Sequence, residues 1–153
     1  MKILQGQAAR DCREMFISKF VDQCSTYYKE RILNPVLKFE DSAYYGYLWE
    51  CFSSCEVKTQ KECMQWLADK TQIFILWDIL PDLAVAGGRD AWNYPKHGVL
   101  SADIQEYTAI AADLPEDIYL FDASFSWCVS FTHETNLQNE RWCLLAKNNS
   151  FGM

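Results

Sequence analysis

The first part of the chain carries one apolar stripe with helical spacing. Its members recur every three or four positions and are Phe16, Phe20, Cys24, Tyr27 or Tyr28, and Ile32. This spacing predicts a helix over residues 10–31 with the stripe turned toward the core. Asn34-Pro35 ends the pattern, because the residue before a proline avoids the helical region.

Three later segments also predict helices. The aromatic block 44–52 predicts a short one. A longer helix follows with Thr59 as its N-cap, because Glu62 three residues later completes a capping box. The third begins at its predicted cap, Ser101, and ends at about residue 113.

Strand patterns begin in the middle of the chain. Residues 72–77 form a short apolar run of strand-forming residues, which predicts a buried strand. The segment 80–98 holds two prolines and Gly87-Gly88, so it predicts a long loop. A further strand is predicted at about 141–147.

Strict alternation predicts a hairpin of two strands, 118–122 and 125–132. The two-residue turn Ala123-Ser124 sets the register, so Leu120 is predicted to pair with Trp127. The face predicted to meet the core carries Ile118, Leu120, Phe125, Trp127, Val129 and Phe131. The other face carries Tyr119, Phe121, Ser126, Cys128, Ser130 and Thr132.

These elements predict an α+β fold. Helices are expected to pack on one face of a small, mainly antiparallel sheet that ends in a C-terminal β-meander. No repeat or linker interrupts the pattern, so residues 1–153 are predicted to form a single domain.

Composition and charge narrow the function classes. Half of the residues are hydrophobic, which excludes an intrinsically disordered chain. The net charge is −7, and residues 99–153 hold eight acids and two bases. Nucleic acid is therefore not expected as a partner, because phosphates favour Lys and Arg. The acidic third is either an interaction surface or a solvated rim that keeps the protein in solution.

Seven cysteines, odd in number and scattered, do not fit a disulfide framework and favour a reducing compartment. Cys51, Cys55 and Cys63 are close in sequence, but no C-x-x-C pair or nearby His accompanies them. No metal site and no cofactor is therefore predicted. No segment has the apolar length of a signal peptide or a membrane span. We expect a cytoplasmic protein with no membrane partner.

His133 is the leading candidate for chemistry. It ends the second hairpin strand, next to Glu134, and the predicted register puts it beside Glu116 and Asp117. A general base or a metal ligand needs such carboxylates. His133 also continues the core parity of Phe131. It is thus a structural hydrogen-bonding group, a catalytic or ligand-binding group, or a partner contact.

The predicted loop 80–98 is a second candidate. It carries Trp92, Tyr94 and His97. Trp and Tyr often anchor protein interfaces, so the loop is either a ligand or partner contact or a segment pinned to the body by Trp92 and Tyr94.

Two motifs resemble a known family. One is Trp49-x-x-Phe52-Ser53, and the other is Asp122-x-x-Phe125-x-Trp127 followed by Thr132-His133-Glu134. Over residues 45–147 the chain resembles an uncharacterised family of small bacterial single-domain proteins. The resemblance implies a bacterial origin and no established activity. Small acidic proteins of this kind are often encoded as immunity proteins beside toxins.

Two functional hypotheses follow. The first is a bacterial immunity protein that binds and neutralises a cognate toxin domain through an acidic surface. Its candidate partner-binding residues are Asp103, Glu106, Asp113, Glu116, Asp117, Glu134, Trp92 and Tyr94. The alternative is a small enzyme or ligand-binding domain with a pocket near His133, which would use His133, Glu134 and Asp122.

Overall fold

Strands from both ends of the chain meet in one antiparallel sheet. The computed structural model describes residues 1–33, 38–39, 42–43, 46–79 and 94–148. Within these residues the sheet comprises β1 (Lys2–Leu4), β4 (Cys55–Lys58), β5 (Gln72–Trp77), β6 (Val99–Asp103), β7 (Ile118–Phe121), β8 (Trp127–Thr135) and β9 (Arg141–Lys147). Their order is β1-β6-β5-β7-β8-β9-β4. A separate hairpin pairs β2 (Lys38–Phe39) with β3 (Ser42–Ala43).

The α-helices of the described chain are α1 (Gly6–Phe20), α2 (Gln60–Leu67) and α3 (Ile104–Ile110). A π-helical turn spans Tyr28–Leu33, and 3-10 turns span Leu48–Cys51 and Ala111–Asp113. None of the described helices is long and apolar enough to cross a membrane.

The interior strand β5 shows that both faces of the sheet are covered. Its six residues are mostly buried, as expected for a strand packed on both sides. Successive side chains alternate, so Ile75 and Leu76 enter different cores. One core joins α1 to the sheet through Phe16, Phe20, Leu76, Tyr119, Phe121 and Cys128. The other joins α2 and α3 to the sheet through Cys63, Leu67, Tyr107, Ile75, Leu120 and Val129.

The α+β class, the antiparallel sheet and the C-terminal meander β7-β8-β9 are confirmed. The structure adds a second helical layer on the opposite face. The predicted strands at 72–77 and 141–147 are present with those bounds. The predicted cap of α2 is present too, since Thr59 and Glu62 form a full capping box.

The predicted hairpin register is wrong by two residues. Leu120 pairs with Val129 rather than with Trp127, and residues 122–126 form a longer loop. A shift of two residues keeps each side chain on its face, because strand side chains repeat every two positions. Ile118, Leu120, Trp127, Val129 and Phe131 therefore share one core as predicted. Phe125 lies in the loop instead and packs against the other core.

Two predicted helix boundaries are also wrong. The first helix ends at Phe20, because Val21 turns extended and bridges to Phe52. The predicted cap Ser101 lies in β6, and Asp103 caps α3 in its place. Asp103 is the N-cap because Glu106 follows it by three residues and completes the capping box.

Candidate functional site

His133 lies at one end of the sheet in a group of carboxylate and aromatic side chains. We call His133, Glu116, Asp117, Glu134, Tyr47 and Trp49 the His133 site. Both the backbone N–H and the Nδ1 of His133 lie 3.0 Å from Asp117 Oδ1. Glu134 Oε1 lies 3.6 Å from the other ring nitrogen, Nε2. The prediction that His133 stands beside the 115–117 turn is confirmed.

The strand pairing is irregular around His133. The register of β8 against β9 shifts between Phe131 and Thr135. His133 therefore does not follow Phe131 into the α2/α3 core. Its ring instead lies 4.9 Å from the ring of Tyr47 and 6.1 Å from that of Trp49. The side chain keeps 34% of its surface exposed.

Neighbouring carboxylates control the charge of His133. Burial alone would lower the pKa of the imidazole. The hydrogen bond to Asp117 and the charges of Asp117, Glu134 and Glu116 outweigh burial, so the pKa is raised above its ordinary value. His133 thus carries a proton over more of the neutral range than a free histidine.

Hydrogen bonds continue from the His133 site into the protein. Asp117 Oδ1 also accepts the indole N–H of Trp49 at 3.0 Å. The backbone N–H of Trp49 donates to the Tyr119 hydroxyl, which donates to Asp78 Oδ2 at 2.7 Å. Asp78 Oδ1 accepts the backbone N–H of Leu48. A chain of hydrogen bonds therefore links exposed His133 to buried Asp78.

Asp78 is the buried end of this network. It directly follows β5 and is 4% exposed. Burial raises its pKa to about 7, although its bonds from Leu48 and Tyr119 and the charge of Arg13 favour the ionised form. The same burial and the charge of Asp78 hold the pKa of Tyr119 well above its ordinary value. Asp78 therefore changes protonation state near neutral pH.

The candidate acidic residues lie at two opposite ends of the sheet. Gln72 of β5 pairs with Asp103, whereas Trp77 at the other end of β5 pairs with Ile118, next to Asp117. Asp103 and Glu106 are occupied with capping α3, and Glu106 also contacts the N-terminal amine. Glu116 and Glu134 are exposed beside His133, and Asp113 is exposed at the end of its 3-10 turn.

The remaining candidates lie elsewhere. Asp122 holds the β7–β8 loop, where its Oδ2 accepts the indole N–H of Trp127 at 3.0 Å. It therefore does not join His133, and Asp117 takes the carboxylate position instead. Tyr94 is half-buried with its ring 6.5 Å from Trp77, and Trp92 lies outside the described residues.

Sequence reasoning did not identify Asp78 and Tyr119 as parts of this network, nor Tyr47 as the ring that packs beside His133. The one available signal was an Asp directly after a buried apolar strand, a position at which a carboxylate needs partners. Among the described residues, no three Cys, His, Asp or Glu side chains are grouped so as to hold a metal ion. Comparisons with family models, with curated proteins and with solved structures find no match to this chain.

Proposed function

We propose that the chain is a bacterial immunity protein that neutralises a cognate toxin domain by binding it at the His133 site. The observation that carries this proposal is the cluster of Glu116, Asp117 and Glu134 around His133. Two of these carboxylates, Glu116 and Glu134, are exposed and open to a partner. A basic protein surface fits them by charge.

The rigidity of the site supports this proposal. Asp117 keeps only 12% of its side chain exposed and is fixed by bonds from Trp49 and His133. Arg141 holds the turn from the other side by donating to the Glu116 carbonyl. A partner that docks on groups already held in place loses less conformational entropy on binding.

The ring of Tyr47 beside the carboxylates would contribute contact area. Tyr47 is half-buried, and its ring stacks on that of buried Trp49 with centroids 5.9 Å apart. Tyr and Trp are enriched among the residues that dominate interface energies. The toxin surface would therefore combine Lys or Arg side chains with an apolar contact.

The proposed compartment is the bacterial cytoplasm, where such an inhibitor protects the cell that makes the toxin. All seven cysteines are free thiols, and five of them are buried. Free thiols are the normal state of cysteine in a reducing compartment.

The test is binding and neutralisation of the toxin domain whose gene neighbours that of this chain. The variant Glu116→Lys/Glu134→Lys reverses the exposed charges of the site. Glu14→Lys/Asp69→Lys is the matched control, since it makes the same charge change at two exposed positions on α1 and after α2.

We expect the site variant to associate at least about tenfold more slowly and the control to behave as wild type. Wild-type association should also slow as salt rises from about 0.05 M to about 0.5 M, because salt screens exposed charges. Equal rates for the two variants would rule out the His133 site as the docking surface.

A second candidate function is a small enzyme or ligand-binding domain at His133. It is favoured by the 3.0 Å pairing of His133 with Asp117, an arrangement that orients an imidazole for proton transfer. In that case a folded His133→Gln variant loses the activity, while the Glu116→Lys/Glu134→Lys variant retains it.

A further inference from the structure

A cavity lies on the α1 side of the molecule and reaches Asp78, the buried end of the hydrogen-bond network described above. It has a volume of about 140 Å³. Its charged lining residues are Arg13, Arg31 and Asp78, and its aliphatic lining includes Ile17, Ile32 and Ile79. An apolar cavity of about 150 Å³ holds a molecule the size of benzene, so this space suits a ligand of a few heavy atoms.

Arg13 lines the cavity and carries one donor that the described chain does not satisfy. Its Nη1 donates to the Trp77 carbonyl at 2.8 Å. Its Nη2 is buried and has no hydrogen-bond partner among the residues that the structure describes. A buried guanidinium nitrogen without an acceptor is costly, and a carboxylate is the acceptor that matches guanidinium geometry best.

We infer that this cavity binds a short aliphatic monocarboxylate. Its carboxylate accepts hydrogen bonds from Arg13, and its hydrocarbon chain packs against Ile17, Ile32 and Ile79. The volume suits a hydrocarbon chain of about four or five carbon atoms.

Larger and more highly charged anions fit this lining less well. Asp78 contributes a carboxyl group to the same cavity, and repulsion from it increases with the charge of the ligand. Phosphate would also leave the aliphatic side chains without a partner. A single negative charge on an apolar chain matches both parts of the lining.

Asp78 makes the binding pH-dependent. Burial is the main cause of its raised pKa. The charged and titratable groups around it are Arg13 of α1, Arg31 of the π-helical turn, Tyr47 and Cys51 at the 3-10 turn Leu48–Cys51, Tyr119 of β7 and Asp117 before β7. Because the pKa of Asp78 is about 7, it is mostly neutral at pH 6 and mostly ionised at pH 8. An anion in the cavity therefore binds more tightly at pH 6.

The experiment titrates the whole chain with butyrate, 1-butanol and inorganic phosphate by calorimetry and by thermal unfolding. We expect butyrate to bind and to raise the unfolding temperature, because a ligand of the folded state stabilises it. Butyrate should bind about tenfold or more tightly than 1-butanol or phosphate. Equal binding of 1-butanol would remove Arg13 from the site, and equal binding of phosphate would overturn the monocarboxylate class.

Two variants locate the ligand. Arg13→Gln should weaken butyrate binding about tenfold or more, whereas Arg10→Gln, an exposed arginine of the same helix, should bind as wild type. Ile32→Phe fills the cavity and leaves Arg13 in place, so it tests the site even if Arg13→Gln does not fold. Wild-type affinity in Ile32→Phe, or unchanged affinity between pH 6 and pH 8, would overturn this assignment.

Discussion

Asp78 should give the protein a pH-dependent stability. Its pKa is raised from 3.8 to about 7 in the folded state, so the folded state binds the proton more tightly than the unfolded chain does. The contribution of Asp78 to the free energy of unfolding is therefore highest at low pH. It falls as the pH rises toward 7 and stays at its minimum above that.

Replacing Asp78 by Asn should remove this dependence. Relative to wild type, we expect Asp78→Asn to gain about 2 to 3 kcal/mol between pH 5 and pH 8, because one pKa unit corresponds to about 1.4 kcal/mol. Urea unfolding of both proteins across this range measures the difference. Parallel pH profiles would show that Asp78 titrates at its ordinary value.

Asp117 should set the proton affinity of His133. Without the Asp117 charge and hydrogen bond, burial lowers the pKa of His133, so Asp117→Asn should shift its NMR titration to lower pH. Asp113→Asn removes an exposed carboxylate near the same turn and is the matched control. An equal shift in both variants would mean that general charge, not the hydrogen bond, controls His133.

At the residue scale, the sequence predicted that His133 lies near Asp117 but not the face of the sheet on which His133 lies. The proximity of His133 to Asp117 could be predicted because both lie where the two hairpin strands end. The face of the sheet on which His133 lies could not be predicted, because the register of β8 against β9 shifts after Phe131 and no local sequence pattern marks that shift. Asp78 was missed because its partners Leu48 and Tyr119 are distant in sequence.

Two substitutions distinguish the observed N-cap of α3, Asp103, from the predicted one, Ser101. Asp103→Ala should lower the free energy of unfolding by about 1 kcal/mol, because the side chain accepts the Glu106 backbone N–H at 2.7 Å. Ser101→Ala should cost less than about 0.5 kcal/mol, since Ser101 lies in β6. Urea unfolding of both variants decides the matter, and a larger loss for Ser101→Ala would contradict this cap.

The loop between β7 and β8 holds Phe125 with a φ of 52°, a conformation that favours glycine. Its ring compensates by packing 5.4 Å from that of Phe121. Once the ring is removed, Phe125→Gly should be about 1 kcal/mol more stable than Phe125→Ala. The reverse order in chemical denaturation would place Phe125 in an ordinary conformation.

At the element scale, strong sequence patterns correctly predicted helices and strands, whereas short strands without such a pattern were not predicted. β5 and α2 carry a continuous apolar run and a capping box, and both are present. β4 and β6 have four and five residues and were not predicted. Such strands form because neighbouring strands supply hydrogen bonds, and that contribution cannot be read from a short segment alone.

For the whole molecule, the second helical layer was not predicted. The sequence patterns suggest a small sheet with one buried face. In the structure α1 covers one face of the central strands, and α2 and α3 cover the other. Fold class could be predicted from element types, whereas layering required the complete strand order.

The two cores also predict the state of the thiols. Cys12, Cys51, Cys63, Cys128 and Cys143 are buried, whereas Cys24 and Cys55 are exposed. The folded protein should therefore react quickly with a thiol reagent at two positions, and the denatured protein without reductant should react at seven. Mass spectrometry counts the labels. Five or fewer labels after denaturation would reveal a disulfide.

The edges of the sheet bear on how the protein behaves at high concentration. In the described chain the sheet ends at β1 and β4, which have three and four residues. β4 exposes 63% of Val57, but Glu56 and Lys58 flank it with charge. Open strand edges are where β-proteins begin to aggregate, and short, charged edges prevent it. Resistance to aggregation in this protein therefore depends on a few charged residues at the two edge strands, which carry neither His133 nor Asp78.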